Sequence, residues 1–365
     1  MKFLVTFLTA IFFFSSSAFS VQSHDVKPRK KSKSAVSNRA HSSRSNVSEI
    51  KFKKIVGSIK PNSPAKPISP IRHNLVLEGC SANYSFLVFE EKTGNILSEK
   101  RSDALAYPAS LVKMMTIYLT FEALENHKIT LDKILTVSQR GEEIAKVNSV
   151  NTLGLKEGDK ITVREAIEAA IVKSFNEAAV TLAEAVAGSE WDFANKMNEK
   201  AENLGMINTS FRNASGLHDE GQYTTSYDLA RLAKAIKKDF PQHYLFFAMK
   251  NFTYHGIKYK THNHVLLDYK GAEGMKTGFT NASGFNLISA AKKNNTRIIS
   301  VLLGCSTYQR RDQLTKKLLD AGFEKLEKNQ TERTEIKITN GFNYATHGLR
   351  DDGYDDEMRF GEGVE

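Results

Sequence analysis

Ser110 and Lys113 stand three residues apart in the segment YPASLVKMMTIYLTF, where a proline precedes a long apolar run. Pro108 suits the first turn of a helix, and helix positions i and i+3 share a face, so the lysine can reach the serine hydroxyl. A serine needs a neighbouring base to become a nucleophile, and a lysine serves as one when burial and nearby positive charge lower its pKa. The pair predicts either a nucleophile with its base or a helix-capping serine beside a lysine whose ammonium reaches solvent.

The Ser-x-x-Lys spacing alone does not separate these two interpretations. It also occurs at Ser48/Lys51, Ser63/Lys66 and Ser289/Lys292. Only the pair at Ser110 follows a proline at the start of a predicted helix. Its interpretation therefore depends on what other segments could contribute to the same site.

Ser174 and Asn176 form a second polar pair, in the segment IVKSFNEAAV between two predicted helices. A second hydroxyl can relay a proton to a leaving group, and an amide can hold both a substrate carbonyl and the lysine. The same spacing at Ser81-Ala82-Asn83 means that this pair, too, is informative only in combination.

Lys276, Thr277 and Gly278 form a third group, in the strand-like segment GAEGMKTGFTNASGF. Lys276 would add a second positive charge, which attracts a substrate carboxylate and lowers the pKa of the first lysine. Gly278 allows another backbone to approach the strand closely. The hydroxyls of Thr277 and Thr280 are expected on one face of the strand, where they could bind the same carboxylate.

The elements that must position these groups follow the order strands, helices, strands. The segment YSFLVFEEKTGNILSEK predicts a hairpin. Helices are predicted near 108–126, 162–173, 176–187, 190–204 and 225–239, the second opened by a Thr162/Glu165 capping box. Strand patterns return in EGMKTGFTNASGFNLISAA and TRIISVLLG, before a last helix that ends near Leu326. This order predicts an α+β fold, with one antiparallel sheet of about five strands built from both ends of the domain and a helical insert beside it.

The positive charge of the chain is concentrated before the folded part. The formal net charge is +10, and residues 21–72 hold thirteen Lys and Arg against two acidic residues, a net +11. With Lys2 also set aside, residues 73–365 carry −2, so the domain lacks the excess positive charge that nucleic-acid binding requires. Residues 21–72 are rich in Ser and Lys and end in regularly spaced prolines, which indicates a disordered linker. It is either a solvated spacer or a tether to an anionic wall polymer or membrane surface.

Residues 1–20 have the pattern of a secretory signal peptide. Lys2 precedes an apolar run from Phe3 to Phe14, and small residues follow at Ala18 and Ser20. This run of twelve residues is shorter than the roughly 20 that a bilayer-spanning helix needs, although an uncleaved anchor is an alternative. We therefore expect an exported protein of the periplasm or cell wall, soluble or attached peripherally to the cytoplasmic membrane.

Taken together and in this order, the three motifs resemble the signature of penicillin-binding proteins. The segments AYPASLVKMMT, NASGLHDEGQYTTSYDLARLAKAI and GAEGMKTGFTNASGFNLISAA look like those of the serine-type D-Ala-D-Ala carboxypeptidases (peptidase S11) within this group. The resemblance runs from about Tyr84 to Leu326. It implies the penicillin-binding/β-lactamase-like fold, in which an antiparallel sheet flanked by helices adjoins an all-helical lobe. Residues 73–328 would form this catalytic domain, and residues 329–365 a polar tail.

The resemblance implies a catalytic role for four of the motif residues. Ser110 would be the nucleophile that forms the acyl-enzyme, and Lys113 would be its general base. Ser174 would relay protons, and Asn176 would position the peptide. The implied activity is removal of D-alanine from peptidoglycan stem peptides, in peptidoglycan biosynthesis and the control of cell shape.

The same resemblance implies how the substrate is held. Lys276 and Thr277 would bind the terminal carboxylate of a stem peptide, which would lie along residues 276–280 as an added strand. The backbone N–H groups of Ser110 and Phe279 would form the oxyanion hole. No metal or cofactor is implied, and β-lactams would be covalent inhibitors of the serine.

Three rival functions stay open beside D-Ala-D-Ala carboxypeptidase. A D,D-endopeptidase that cuts peptidoglycan crosslinks uses the same residues. A class A-like β-lactamase shares the motifs, but no Glu-x-x-Leu-Asn-like stretch lies between Ser174 and Lys276 to supply a carboxylate that activates water. A catalytically silent wall-binding module is disfavoured because the serine and both lysines are present.

Two departures from the family pattern bear on the cleft and on anchoring. Phe175 stands where these enzymes more often have a small residue, so its bulk could narrow the cleft. Only about 40 residues follow the last predicted helix, without the pattern of a β-rich second domain or an amphipathic tail. The basic N-terminal linker is therefore expected to be the attachment, if there is one.

His262, His264 and the two cysteines are the remaining candidates for a chemical role. The histidines could share a face of a strand, but no Cys or carboxylate pattern completes a metal site, so an ordinary polar strand or loop is preferred. Cys80 precedes the first strand and Cys305 ends the segment RIISVLLG. If these strands are antiparallel neighbours, as the resemblance implies, the two cysteines could form a disulfide. Two buried free thiols are the alternative.

Overall fold

The computed structural model describes residues 80–147 and 152–346. Its strands are β1 (Cys80–Glu90), β2 (Ile96–Lys100), β3 (Ile134–Thr136), β4 (Lys160–Thr162), β5 (Asn251–Tyr254), β6 (Ile257–Lys260), β7 (Ala272–Thr280), β8 (Gly284–Lys293) and β9 (Thr296–Cys305). Its α-helices are α1 (Lys113–Glu125), α2 (Gln139–Val147), α3 (Val163–Val172), α4 (Asn176–Ala187), α5 (Glu190–Asn203), α6 (Ser226–Asp239), α7 (His264–Asp268) and α8 (Tyr308–Thr346). Short 3-10 helices lie at Ala109–Val112, directly before α1, and at Tyr244–Ala248.

One five-stranded antiparallel sheet, in the order β2-β1-β9-β8-β7, organises the domain. The N-terminal hairpin joins the C-terminal strands, so that Phe86 pairs directly with Leu302. This arrangement confirms the predicted α+β fold with a sheet built from both ends of the domain. β7, which carries the Lys-Thr-Gly motif, is an edge strand, so one of its sides is available to a partner other than a strand of this sheet.

Both faces of the sheet are buried because its strands alternate two apolar sets. In β1, Leu87 and Phe89 belong to a core shared with the helices of the middle segment, whereas Phe86 and Val88 belong to a second core. Leu318 of α8 is buried in that second core. The sheet is therefore a middle layer that is fixed on both sides.

α1, which begins at Lys113, is almost wholly buried. All of its residues except Glu122 and Glu125 are buried, which explains why the segment MMTIYLTF is apolar all round rather than on one face. Lys113 is the single charged residue within this buried part of α1. The predicted capping box is also present, because Thr162 and Glu165 exchange side-chain and backbone hydrogen bonds at the start of α3.

The short elements α2, β3 to β6 and α7 are not predicted from the sequence patterns, and the last helix is longer than expected. α8 continues to Thr346, twenty residues beyond the predicted end near Leu326. No proline interrupts residues 327–346, and their Glu, Lys, Gln and Arg residues favour helix. Among the described residues, none of the helices combines the length and the apolar character of a membrane span. The predicted signal peptide and linker lie outside the described residues, so the predicted domain limits stay predictions.

The register between β1 and β9 bears on the predicted disulfide. Cys80 lies opposite Cys305 across the two strands, and Cys305 is buried. Opposed Cα atoms in an antiparallel pair are about 4.5–5.5 Å apart, within the range that a disulfide spans. The side chain of Cys80 lies outside the described part of the molecule, so the disulfide stays a prediction that this register permits.

Candidate active site

Ser110 lies in the 3-10 helix that leads into α1. The residue before it, Ala109, has a left-handed backbone conformation with φ 49°, which is unfavourable for a residue with a side chain. Gly216 supports this turn from outside, because a side-chain carbon at Gly216 would lie only 2.0 Å from the Ala109 carbonyl oxygen. Only glycine fits at that contact. The serine is thus presented by a turn that a neighbouring loop holds in place.

Lys113, the first residue of α1, is fully buried and donates hydrogen bonds to three groups. Its Nζ lies 3.2 Å from Ser110 Oγ, 2.7 Å from Asn176 Oδ1 and 2.5 Å from the Ser215 carbonyl oxygen. Burial lowers the pKa of Lys113 from 10.5 to about 7, although the negative charge of Glu177 opposes the shift. Near neutral pH a large share of the Lys113 amine is therefore uncharged and able to accept a proton.

Lys276 and Ser174 form a second buried pair. Lys276, on β7, donates to Ser174 Oγ at 2.8 Å and to the Thr277 carbonyl oxygen at 2.9 Å. Burial, followed by the charges of Lys113 and Arg311, lowers the pKa of Lys276 well below its ordinary value. Ser174 lies between α3 and α4 with a left-handed backbone, φ 64°. Each of the two buried lysines is thus bonded to one of the two serines.

β7 meets the turn of Ser110 at Gly278. A side-chain carbon at Gly278 would lie 3.1 Å from the Pro108 carbonyl oxygen and 3.2 Å from the Ser110 amide nitrogen, so a larger residue would push the strand away. Asn286, on β8, also binds this turn through hydrogen bonds. Its Nδ2 donates to the Pro108 carbonyl oxygen at 3.4 Å, and its Oδ1 accepts from the Gly304 N–H at 2.8 Å.

These groups open onto a cleft of about 610 Å³. The predicted site residues that line it are Ser110, Ser174, Asn176, Thr277, Gly278 and Phe279. Lys113 and Lys276 lie behind this lining, both buried. Hydrogen bonds join the motifs across 63 residues, from Lys113 to Asn176, and across 102 residues, from Ser174 to Lys276. The structure thus brings the three motifs together at one site.

Six further residues line the cleft that the sequence patterns did not assign to it: Lys173, His262, His264, Phe285, Tyr308 and Arg311. Arg311 is 3% exposed and is held by Asp312, whose Oδ1 lies 2.8 Å from the Arg311 Nε. Burial lowers the pKa of His262 to about 3, so its ring is neutral at physiological pH. In residues 80–147 and 152–346, no three His, Cys, Asp or Glu side chains converge as metal ligands. His262, His264, Tyr308 and Arg311 lie at the starts of α7 and α8, and no local sequence pattern indicates that those two starts meet. Lys173 follows α3 directly, and Phe285 lies on β8.

The structure corrects two expectations about the lining. Phe175 does not narrow the cleft, because its side chain is 2% exposed and packs edge-on against Phe252 and Tyr259 of the β5–β6 hairpin. Thr277 and Thr280 do not share a face, because strand residues three positions apart point to opposite sides. Thr280 Oγ1 instead accepts a hydrogen bond from the Ser283 N–H, at 3.1 Å, in the β7–β8 turn.

The fold, and the way in which three distant motifs meet at one serine, are those of the penicillin-binding class of enzymes. Comparison with known proteins narrows this class. Residues 78–307 match the model of the peptidase S11 family, described as D-alanyl-D-alanine carboxypeptidase, and the chain belongs to that family.

Individual relatives support the same assignment. D-alanyl-D-alanine carboxypeptidase DacD of Escherichia coli (strain K12) is 37% identical over 243 residues, which cover 65% of this chain and 62% of the relative. DacF of Bacillus subtilis (strain 168) is 36% identical over 269 residues, 70% of this chain and 67% of the relative. This chain therefore spans less than two thirds of the E. coli relative.

Solved structures agree in fold as well as in sequence. Penicillin binding protein 5 from Haemophilus influenzae has a TM-score of 0.63 at 34% identity, covering 66% of this chain and 70% of that one. Penicillin-Binding Protein D2 from Listeria monocytogenes, in its ampicillin-bound form, has a TM-score of 0.60 at 30% identity. That match covers 68% of this chain and 99% of the Listeria chain, so the Listeria chain is matched almost end to end.

Proposed function

We propose that this protein is a D-Ala-D-Ala carboxypeptidase that removes the terminal D-alanine from peptidoglycan stem peptides through a serine acyl-enzyme. The observation that carries the proposal is the 3.2 Å hydrogen bond between Ser110 Oγ and the buried Lys113 amine, whose pKa of about 7 suits a general base. The description of the family and the names of two relatives state the same activity, D-alanyl-D-alanine carboxypeptidase.

Acylation starts from the neutral form of Lys113. The amine takes the proton of Ser110 Oγ, and Oγ forms a bond to the carbonyl carbon of the penultimate D-alanine. The carbonyl oxygen becomes negatively charged, and the backbone N–H groups of Ser110 and Phe279 donate hydrogen bonds to it. Each such donor typically contributes about 2.7–4 kcal/mol to the barrier reduction.

The leaving D-alanine needs a proton as its C–N bond breaks. Ser174 Oγ, which is bonded to Lys276 Nζ at 2.8 Å, supplies that proton and recovers one from the lysine. Before deacylation, Lys113 gives up to solvent the proton that it took from Ser110, and Lys276 regains one from solvent, so both amines return to their starting forms. A water molecule then attacks the ester carbonyl carbon, and the neutral Lys113 amine takes a proton of the water. The ester bond breaks, Ser110 regains its hydrogen, and the shortened peptide leaves with a new carboxyl group.

The free carboxylate of the stem peptide has suitable partners on one wall of the cleft. The Thr277 hydroxyl lies at the cleft, Lys276 lies behind it, and Arg311 lines the same space. A guanidinium can bind a carboxylate through two parallel hydrogen bonds. Recognition of a free carboxyl end supports a carboxypeptidase. The same serine is the proposed acylation site for β-lactams, which the ampicillin-bound form of the Listeria relative supports.

Digestion of purified peptidoglycan tests the proposal. The protein should release free D-alanine and should gain the mass of one labelled penicillin, and Ser110→Ala should do neither. Crosslinked dimers split to monomers without D-alanine release would indicate a D,D-endopeptidase instead. Rapid turnover of the penicillin would indicate a β-lactamase, and a chain that takes up no label would be a silent wall-binding module.

We also propose that the protein is exported to the periplasm or cell wall and acts there in peptidoglycan biosynthesis and cell shape. The signal-like pattern of residues 1–20 supports export, and the +11 charge of residues 21–72 supports attachment to an anionic wall polymer or membrane surface. Cell fractionation should find the full chain in the envelope, released by high salt because screening weakens such contacts. A variant without residues 21–72 should be released at low salt. Recovery of the full chain in the cytoplasm would overturn this proposal.

A further inference from the structure

Glu177 is a buried acidic residue beside the catalytic groups that the mechanism above does not use. It directly follows Asn176 in the first turn of α4 and is fully buried, with 0% of its surface exposed. Buried acidic side chains are rare unless they have a partner. The burial of Glu177 therefore needs an explanation in terms of its contacts.

One oxygen of Glu177 binds the segment that precedes β4. Its Oε1 accepts hydrogen bonds from Thr152 Oγ1 and from the Leu153 N–H, both at 2.5 Å. Thr152 Oγ1 in turn accepts from the Gly154 N–H at 2.8 Å. Glu177 thus ties residues 152–154 to the turn of α4 that presents Asn176 to the base.

The other oxygen, Oε2, is buried and has no hydrogen-bond partner within the described part of the chain. No lysine or arginine forms an ion pair with Glu177 among the same residues, so its charge is not cancelled locally. It acts on Lys113, whose Nζ lies 2.7 Å from Oδ1 of the adjacent residue Asn176, and favours the charged form of that amine.

The other charged groups around Lys113 do not raise its pKa. The other basic groups of the site are Lys276 on β7, Arg311 on α8 and Lys173 at the cleft, and none of them favours the charged form of Lys113. On α2, which lies beside α4, Glu142 and Glu143 form ion pairs with Lys146 and Arg140. Glu184, two turns along α4, bonds to Ser138 at 2.9 Å. Burial lowers the pKa of Lys113, and the charge of Glu177 opposes that effect.

We propose that Glu177 is a positioning residue of the catalytic site: its charge keeps Lys113 basic enough to deprotonate the serine, and its hydrogen bonds hold the Asn176 turn against the base. A buried amine without such a carboxylate would be neutral at lower pH, but it would also be a weaker proton acceptor. This inference rests on the proposed function only for the choice of peptide substrate, since the base also serves acylation by penicillins.

Glu177→Gln separates the charge from the hydrogen bonds. Glutamine keeps an oxygen that can accept from Thr152 and Leu153, but it removes the negative charge. Because the pKa of Lys113 should fall, we expect the acid limb of the pH profile of kcat/KM to move about 1 unit to lower pH. The rate on the plateau should fall several-fold, because a weaker base takes the serine proton less readily. Glu177→Asp, which keeps the charge, should return the acid limb towards its wild-type position.

Glu184→Gln is the matched control, since it removes a partly buried carboxylate from the same helix two turns away. It should leave the acid limb unchanged. An acid limb that stays in place in Glu177→Gln, or that moves equally in Glu184→Gln, would overturn the inference.

The pH profile can also be measured for the rate of acylation by a labelled penicillin. This second measurement distinguishes failure of the inference from failure of the proposed function. If the wild-type protein is acylated but releases no D-alanine, the proposed function fails, and the shift in acylation still tests Glu177. If Glu177→Gln does not fold, Thr152→Val tests the second part of the inference. That variant should lower kcat several-fold with the acid limb in place, and an unchanged kcat would contradict the proposed role in positioning.

Discussion

The two buried lysines of the cleft differ in their surroundings, and the difference separates their chemical roles. Lys113 bonds to Ser110, the proposed nucleophile, and the charge of Glu177 opposes the effect of burial, so its pKa falls only to about 7. Lys276 bonds to Ser174, and its charged neighbours are Lys113 and Arg311. The pKa of Lys113 thus stays near 7, which suits a general base. The charged neighbours of Lys276 are basic, which favours loss of its proton.

The largest effect should come from removing the base. Lys113→Met keeps the length and apolar stem of the side chain but has no amine, so Ser110 loses its proton acceptor. We expect the rate of acylation by labelled penicillin to fall by about 10³-fold or more, since general bases contribute about 10²–10⁴-fold. Stopped-flow or mass-shift kinetics measure this rate, and Lys173→Met, at the rim of the same cleft, is the control. A loss of less than about tenfold would mean that another group is the base.

The next largest effect should come from removing the partner of the relay. Lys276→Met leaves Ser174 without its proton source, and we expect kcat for D-alanine release to fall by about 10²-fold. Because Lys276 and Ser174 act through one hydrogen bond, Ser174→Ala should cost a similar amount, and the double variant should cost little more. Additive losses in this double-mutant cycle would show that the two side chains act separately.

Burial of the two lysines is also predicted to lower the free energy of unfolding. The pKa of Lys113 is lowered from 10.5 to about 7, so between these values the unfolded chain binds more protons than the folded one. Stability therefore rises with pH across this window, and the cost of the lysine is fully present below pH 7. Lys113→Met should raise the free energy of unfolding at pH 7, and this gain should shrink as the pH rises and be lost by pH 10.5. Lys276→Met should change stability in the same direction. Urea unfolding at several pH values measures this, and a loss of stability at pH 7 would contradict it.

The sequence predicts the two lysines but not the surroundings that distinguish them. The motifs Ser-x-x-Lys, Ser-x-Asn and Lys-Thr-Gly are local, so their residues can be identified before the fold is known. The Ser215 carbonyl oxygen that binds Lys113 is a backbone atom that any residue type would supply, so no side-chain pattern predicts it. Arg311 and His262 reach the cleft only because α8 and the segment before α7 meet there. Asn286 acts from a neighbouring strand, which becomes informative only with the sheet order.

Phe175 and Thr280 show why a motif cannot be extended by proximity in sequence. Phe175 lies between two site residues, yet its ring is buried against the β5–β6 hairpin, which the sequence patterns do not predict. Thr280 follows the Lys-Thr-Gly motif by two residues, yet the alternation of the strand turns its hydroxyl into the β7–β8 turn. In both cases the backbone conformation, not the distance along the chain, decides which side chain reaches the substrate.

The smallest predicted effect tests whether the two lysines influence each other. The charge of Lys113 lowers the pKa of Lys276, and Coulomb interaction is reciprocal, so removing the amine of Lys276 should raise the pKa of Lys113. In Lys276→Met we expect the acid limb of the acylation rate to move about 0.5 unit to higher pH, opposite to the shift expected for Glu177→Gln. The residual rate of penicillin acylation across pH 5–9 measures this shift. An acid limb that stays in place would mean that Lys276 is already neutral in the free enzyme, because a neutral amine carries no charge to lose.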